Sequence, residues 1–559
     1  MIDTKFLYEK KYVAEQHPYM LALVICIGVW AFSLCDQSLF SGTAVAVTAF
    51  LAAVRLFRKF MAVKKPQYVR FVFSLLVTFA AAILFFMLEF KGGFFLLAGI
   101  ICLLGMYLKY KKDMMAPEHL RLIVISFSFL LYVSYVLYTT CTSRQIDAGY
   151  LHGGTGHLAY IEYLYEHWFV LPEFDPRTVT QMYHPPLYYW IAAAVVRLTT
   201  FLGVSYEQAL ESAQVISLYS GICTLITADK IFRCFHLKGY ALTASLAVTA
   251  FAVPLVMLSD VLNNDMLSIA LETGAIYCVL QWYEEKSFAN IIKTALCIGL
   301  GMMTKLSVVL AAPPIALIFF YVFFAERKNW KKYSMQFAVF LGICVPLALW
   351  FPVKNLLLFG VPFGYVPAGN YSEYMESIPV WQRLFDFGWQ NFQYPITVNY
   401  GGTVFDSRAL FEDYNPVIAL IKSTVDMHML RYASPLATVF YIRFYLTLIL
   451  GVTGFVYMVY VLFAETVREE RIKHLSIVVF YVVTMTSYYI FCIKNQNMHA
   501  QHIRYVFDII IVGSLYIGLL LQRTSKHSLM QLFRKILVVL VCVYAAMTVI
   551  MFAVLSFEK

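Results

Sequence analysis

The sequence predicts an all-α, polytopic membrane protein, on the strength of its composition, the continuity of its apolar runs and the placement of its basic residues. Of the 559 residues, 61% are hydrophobic and 14% charged, and the mean hydropathy is +0.70. A soluble domain carries about 25% charged residues, so this chain cannot cover a water-facing surface. The apolar stretches are continuous and do not alternate, which argues against a transmembrane β-barrel. In hydrocarbon the helix is then the remaining way to pair every backbone group within one segment. The net charge of +10 is dispersed among apolar runs, which excludes disorder and a nucleic-acid partner.

A spanning helix needs about 20 apolar residues. Segments of that character fall at 19–35, 38–55, 71–90, 93–109, 119–140, 211–232, 240–258, 266–283, 291–304, 307–324, 334–352, 439–463, 474–493, 504–522 and 534–555. The first 18 residues are charged, so 19–35 reads as a retained span and not a cleaved leader. With the N-terminus cytoplasmic, the inner loops carry most of the 43 Lys and Arg, among them Arg55, Arg58, Lys59, Lys109, Lys111, Arg327 and Lys328. That is the positive-inside pattern, and a multi-pass protein of the plasma membrane is expected. The chain then divides into an accessory bundle (1–115), a core (116–352) with a first outer loop (141–210), a second large outer loop (353–438) and a C-terminal bundle (439–559). The eleven cysteines are scattered, with no metal-ligand spacing and no disulfide framework.

Both long loops are expected outside. Within the first, 185–204 is apolar, but as a full span it would invert every later loop. It reads as a helix along the outer interface, with Tyr188, Tyr189 and Trp190 at headgroup depth. Loops on a rigid helical frame are where sites are built.

Four groups could carry chemistry there. Asp147 lies just past the outer end of a span, where a carboxylate meets both a lipid-borne substrate and water. It is followed by His152, Gly153-Gly154, His157 and the run His184-Pro-Pro-Leu-Tyr188-Tyr189-Trp190. No strand or Gly-Lys-Ser accompanies the paired glycines, so they read as a turn and not a phosphate loop. The short outer connection Ser259–Met266 holds Asp260 and Asp265. An acid costs on the order of 2.5–3.5 kcal/mol at the bilayer centre and less at the interface, so these two either face a watery cavity or are simply exposed. Lys305, at an outer hinge, either snorkels to lipid phosphate or binds an anionic substrate group. His499, His502 and Arg504 open a late span, and arginine suits bidentate phosphate binding. The histidines expected outside are His152, His157, His167, His184, His428, His499 and His502. None forms a His-Glu-x-x-His constellation, so no metal ligands are assigned. A divalent cation held by Asp147, Asp265 and a phosphate stays open.

Taken in order, these motifs resemble the membrane glycosyltransferases of the GT-C fold, in the branch of protein mannosyltransferases and lipid A aminoarabinose transferases. The resemblance rests on Asp147, His157 and Pro172, His184-Pro-Pro-Leu-Tyr-Tyr-Trp, Pro254 with Asp265, Thr304-Lys305 and Arg504-Tyr505. It covers about 119–360 well and the last spans loosely. The family pattern often has adjacent acids in the first loop, whereas Ala148 follows Asp147 here, and either His152 or His157 could fill its histidine position. The resemblance implies that the roughly 15 spans, interfacial helices and two large outer loops read above form a GT-C-like helical bundle. It also implies transfer of a sugar from a polyprenyl-phosphate donor to a hydroxyl of a glycan, glycolipid or protein acceptor. Asp147 would be the base and Asp265 the second acid. His157, His184, Tyr188, Lys305, His502 and Arg504 would bind substrate. A single displacement would invert the anomeric centre. A transporter or flippase of lipid-linked sugars is the competing reading, although neither a paired repeat nor mid-span charges are evident. A non-catalytic scaffold is a third.

Overall fold

The computed structural model of the chain describes residues 18–34, 117–142, 145–149, 151–367, 373–392, 414–425, 434–496, 500–523 and 527–555. Among them the regular structure is entirely helical. Helices α1 (Pro18–Ser33) and α2 (Pro117–Tyr138) are followed by three short helices in the segment expected as the first outer loop, α3 (Gly156–Glu166), α4 (Leu187–Phe201) and α5 (Tyr206–Ser212). The core then runs through α6 (Val215–Cys234), α7 (Gly239–Ala250), α8 (Val253–Leu258), α9 (Asp265–Glu284), α10 (Phe288–Thr304), α11 (Ala312–Ala325) and α12 (Trp330–Phe359). The second loop carries α13 (Glu373–Ser377), α14 (Val380–Phe385) and α15 (Pro416–Ser423), and α16 (Ser434–Ala464), α17 (Arg468–Lys494), α18 (Asp508–Gln522) and α19 (Ser528–Leu555) complete the order.

Six helical stretches among the described residues are long and apolar enough to cross a membrane: Tyr206–Cys234, Leu306–Ala325, Arg327–Phe359, Thr438–Ala464, Arg468–Lys494 and Ser528–Leu555. Shorter apolar helices stand at most of the other expected spans. The expected spans 38–55, 71–90 and 93–109 lie outside the described residues, as does most of the expected accessory bundle. Its described helix, α1, packs on α6 and hydrogen-bonds it through Tyr19 and Thr227 at 3.0 Å.

Helix α6 lies at the centre, mostly buried, against α9, α7, α2 and α1. Small residues let neighbouring backbones close in. A Cβ on Gly221 of α6 would collide with Ser259 Oγ, and one on Gly454 of α16 would stand 2.8 Å from the Gly513 carbonyl oxygen of α18. The expected span 240–258 is broken. Pro254 has no N–H to continue a helix, and α7 stops at Ala250 before α8 restarts at Val253. The freed carbonyls are taken by three other helices. Tyr132 of α2 donates to the Ala250 oxygen at 2.6 Å, and Arg443 of α16 and Thr548 of α19 donate to that of Phe251 at 3.2 and 2.7 Å. Buried orphan carbonyls need such partners, and here they pin the base of the turn that follows.

The expected interface helix 185–204 is α4, packed on α3 and α5. Tyr188 and Tyr189, expected at headgroup depth, are instead fully enclosed at 0% exposure, in a cluster with Tyr160, Leu164 and Val196. Trp190 remains half-buried at the edge.

Candidate active site

Asp147 is fixed by its own backbone. Residue 147 has φ +55°, and its carbonyl accepts from the His157 N–H at 3.4 Å, while that of Ala148 accepts from Leu158 at 2.8 Å. These are donors of the first turn of α3, which has no side-chain cap. The approach requires glycine at two positions. Gly149 and Gly156 both have positive φ, and a Cβ on either would collide with a carbonyl oxygen of the facing segment. The 147–149 loop and the start of α3 are thereby clamped together.

Asp265 is the first residue of α9. The turn before it is not exposed: Asp260, Asn263, Asn264 and Asp265 show 0, 0, 1 and 3% of their surface. Asn263 accepts from the Asp265 N–H at 2.9 Å and donates to the Ile146 carbonyl at 3.2 Å. Asn264 donates to the Thr304 carbonyl at 2.9 Å, which ties the turn to the residue preceding Lys305. Lys305 caps α10 in extended conformation, and its Nζ donates to Asp265 Oδ1.

Arg504 lies on a 3-10 turn, Ile503–Tyr505. His502 caps that turn, its Nδ1 accepting from the Arg504 N–H at 3.2 Å, and Ser423 at the end of α15 accepts from the Ile503 N–H at 2.9 Å. One guanidinium nitrogen pairs with Asp147 Oδ2 and donates to Tyr505 Oη at 2.7 Å, while the other lies 3.6 Å from Asp265 Oδ2. The Tyr505 ring lies under both cations, 4.7 Å from the guanidinium carbon and 5.1 Å from Lys305 Nζ.

Two carboxylates and two cations from four distant stretches thus form one chain of contacts, Asp147–Arg504–Asp265–Lys305. The Arg504 and Asp265 side chains are about 5% and 4% exposed, whereas Asp147 keeps 38% of its side chain open. The cluster is therefore buried on one side and accessible on the other. Burial pushes the Asp147 carboxyl up, but Arg504 and then His157 pull it down further, and it settles below its ordinary value.

His157 joins this cluster, and His152 does not: His152 turns outward to Glu162 at 2.7 Å. His157 Nδ1 and Tyr189 Oη are hydrogen-bonded at 2.6 Å, and the His157 and His184 rings stack 5.7 Å apart. Burial lowers His157 to about 4, against the pull of the Asp147 and Asp265 carboxylates, and burial followed by His157 takes His184 well below its ordinary value. At neutral pH His184 is accordingly held towards its neutral form. Tyr188, expected to bind substrate, offers no surface; its enclosed ring packs edge-on against Tyr189. His502 supports Arg504 from behind. His499 lies outside the described residues. The sequence motifs include Tyr189 and Tyr505 but give neither a role in the site.

Among the described residues no group of three or more His, Cys, Asp and Glu is arranged to hold a metal. Each carboxylate is already engaged by Arg504 or Lys305, so a divalent cation would have to displace a side-chain charge.

The resemblance read from the motifs is borne out over part of the chain. Residues 183–350 match the family model described as dolichyl-phosphate-mannose-protein mannosyltransferase. That stretch holds His184, Asp265 and Lys305. No curated protein sequence matches the chain. Among solved structures, the chain is similar to the archaeal oligosaccharyltransferase AglB of Archaeoglobus fulgidus, in complex with an inhibitory peptide and a dolichol-phosphate, at 13% identity and a TM-score of 0.44. The match covers 78% of this chain and 56% of that one, so the chain spans little more than half the length of AglB. It is also similar to apo ArnT from Cupriavidus metallidurans, at 12% identity and a TM-score of 0.46, over 78% of this chain and 76% of that one.

Proposed function

We propose that the chain is a GT-C-type membrane glycosyltransferase. It moves a sugar from a polyprenyl-phosphate donor to an acceptor hydroxyl on a glycan, glycolipid or protein, at the extracytoplasmic face of the plasma membrane, with the N-terminus cytoplasmic. The observation that carries this reading is the half-open cluster Asp147–Arg504–Asp265–Lys305. The matched family points the same way.

The chemistry follows from the charges. The bond between the anomeric carbon and the phosphate oxygen breaks, and the phosphate keeps the electron pair. Negative charge grows on that oxygen, so preplaced cations lower the barrier. Lys305 and Arg504 supply them. The acceptor oxygen attacks the opposite face of the anomeric carbon, which inverts it, and its proton passes to a carboxylate. Asp147 is that base, because it is the acid open to solvent, and Asp265 holds both cations in place. While Arg504 grips Asp147 the carboxylate is a weak base. A phosphate arriving on Arg504 competes for the guanidinium and frees it, so the base is armed by the donor.

The test is sugar transfer by the purified full-length chain in liposomes containing a polyprenyl-phosphate sugar. Wild type transfers the sugar and releases prenyl phosphate, and Asp147→Asn, folded normally, loses about 10²- to 10⁴-fold in kcat. Full turnover by Asp147→Asn removes the base, and lipid moved between leaflets without transfer replaces the enzyme with a transporter.

A further inference from the structure

Asp260 carries no part of the chemistry just described, yet it is the most enclosed acid of the outer turn, at 0% exposure. Its Oδ1 accepts from Thr139 Oγ1 at 2.6 Å and from Gln214 Nε2 at 2.7 Å, and its Oδ2 accepts from Gln145 Nε2 at 3.1 Å. Those donors come from three places: the end of α2, the cap of α6 and the loop two residues before Asp147. Gln145 completes the lacing, since its Oε1 accepts from the Leu262 N–H at 2.8 Å. One residue further on, the Ile146 carbonyl accepts from Asn263. The segment leading into Asp147 is thus tied, side chain to backbone, to the turn leading into Asp265.

We infer that Asp260, acting through Gln145, is a positioning residue that sets the spacing of the Asp147 and Asp265 carboxylates. The inference rests on the transferase reading above and adds a residue to it. A buried carboxylate accepting several donors holds them more firmly than a neutral acceptor can. The geometry it fixes is the one Arg504 spans, from Asp147 on one nitrogen to Asp265 on the other. Because Lys305 and Arg504 are held by other contacts, loss of Asp260 misplaces the base relative to the acceptor without removing the cations that meet the donor phosphate. Displacing a reacting group by an ångström costs on the order of 10²-fold in rate.

In Asp260→Asn, the new amide nitrogen faces the Gln145 amide nitrogen, donor against donor. Gln145 relieves the clash only by flipping, which abandons the Leu262 N–H. The double variant Asp260→Asn with Gln145→Glu reverses the polarity of that bond but gives up the donation of the Gln145 amide to the main-chain carbonyls of residues 260 and 140, at 3.3 and 3.4 Å, so it recovers part of the tie. The amide introduced at position 260 donates to the carboxylate introduced at position 145, whose second oxygen keeps the Leu262 N–H. A third variant, Gln145→Leu, cuts the same tie from the loop side and leaves Asp260 with Thr139 and Gln214, so it serves where Asp260→Asn does not fold.

The experiment measures kcat and donor KM for these variants in the liposome transfer assay. The expected result is a loss of about 100-fold in kcat for either single variant, with donor KM essentially unchanged, and recovery of part of that loss in the double variant. Unchanged kcat in the single variants overturns the inference, as does a double variant no better than Asp260→Asn. A wild-type chain inactive with every polyprenyl-phosphate sugar overturns the transferase reading itself, and this inference with it.

Discussion

Asp147 and Asp265 share a cation. Arg504 turns one guanidinium nitrogen to each carboxylate, and the Asp265 contact is 3.6 Å long. That relationship fixes what the cluster can tolerate, because neither acid can lose Arg504 without being left with less counter-charge in a mostly enclosed site.

Arg504→Ala is therefore expected to harm the fold as well as the activity. Removing one partner of a fully buried pair costs about 3–5 kcal/mol, and the loss here is smaller, because the Asp147 side chain is 38% open to water and Asp265 keeps Lys305. A fall in thermal unfolding temperature is the measurement. Arg504→Lys keeps the charge but loses the fork that reaches both carboxylates, so it should recover much of the stability and little of the turnover.

Lys305→Ala should act on the donor. Asp265 keeps Arg504 at 3.6 Å, so the fold is weakened but retained, and the phosphate loses a charge-assisted hydrogen bond. Such a bond is worth about 1.5–3 kcal/mol, which corresponds to a rise in donor KM of roughly ten- to a hundredfold. Acceptor KM should stay nearly constant, and an equal rise in both would place Lys305 elsewhere.

Acid should destabilise the protein. His157 is held near a pKa of about 4 in the fold, against 6.5 ordinarily. Between those values the unfolded chain binds more protons than the folded one, so stability rises with pH across this window and is lost as pH falls through it. Asp147, lowered by Arg504, adds in the same direction: its contribution is full above the ordinary carboxylate range and fades as pH drops towards its lowered value. Melting temperatures from pH 7 to pH 4 should decline, with a shallower decline for His157→Gln.

Chelation should leave transfer intact. Lys305 and Arg504 already occupy the carboxylates and supply the charge a divalent cation would bring. Loss of activity in EDTA, restored by a divalent metal, would show that this cluster rearranges around an ion.

Much of the fold and the chemistry-bearing residues was legible from the sequence. Asp147, Asp265, Lys305 and Arg504 stand out because a charge beside an apolar run demands a partner, and the structure pairs all four. The short 291–304 segment is a real helix, α10. The break after Ala250 was hidden, because what stabilises it are Tyr132, Arg443 and Thr548, side chains far away in sequence. The inward turn of Tyr188 was also hidden: α4 is apolar on nearly every face, so its periodicity does not say which ring meets lipid. The choice of His157 over His152 depends on Gly149 meeting Gly156, a backbone contact that motif spacing does not encode. The tie from Gln145 to Asp260 pairs two ordinary polar residues, and nothing in either stretch alone marks them.

The most direct test of the central claim is a structure of the full-length chain in lipid nanodiscs with bound polyprenyl phosphate. The account predicts the phosphate between Lys305 and Arg504, with the Asp147 carboxylate released from the guanidinium and turned to the open side. A phosphate bound away from both cations, with Asp147 still gripped by Arg504, would contradict it.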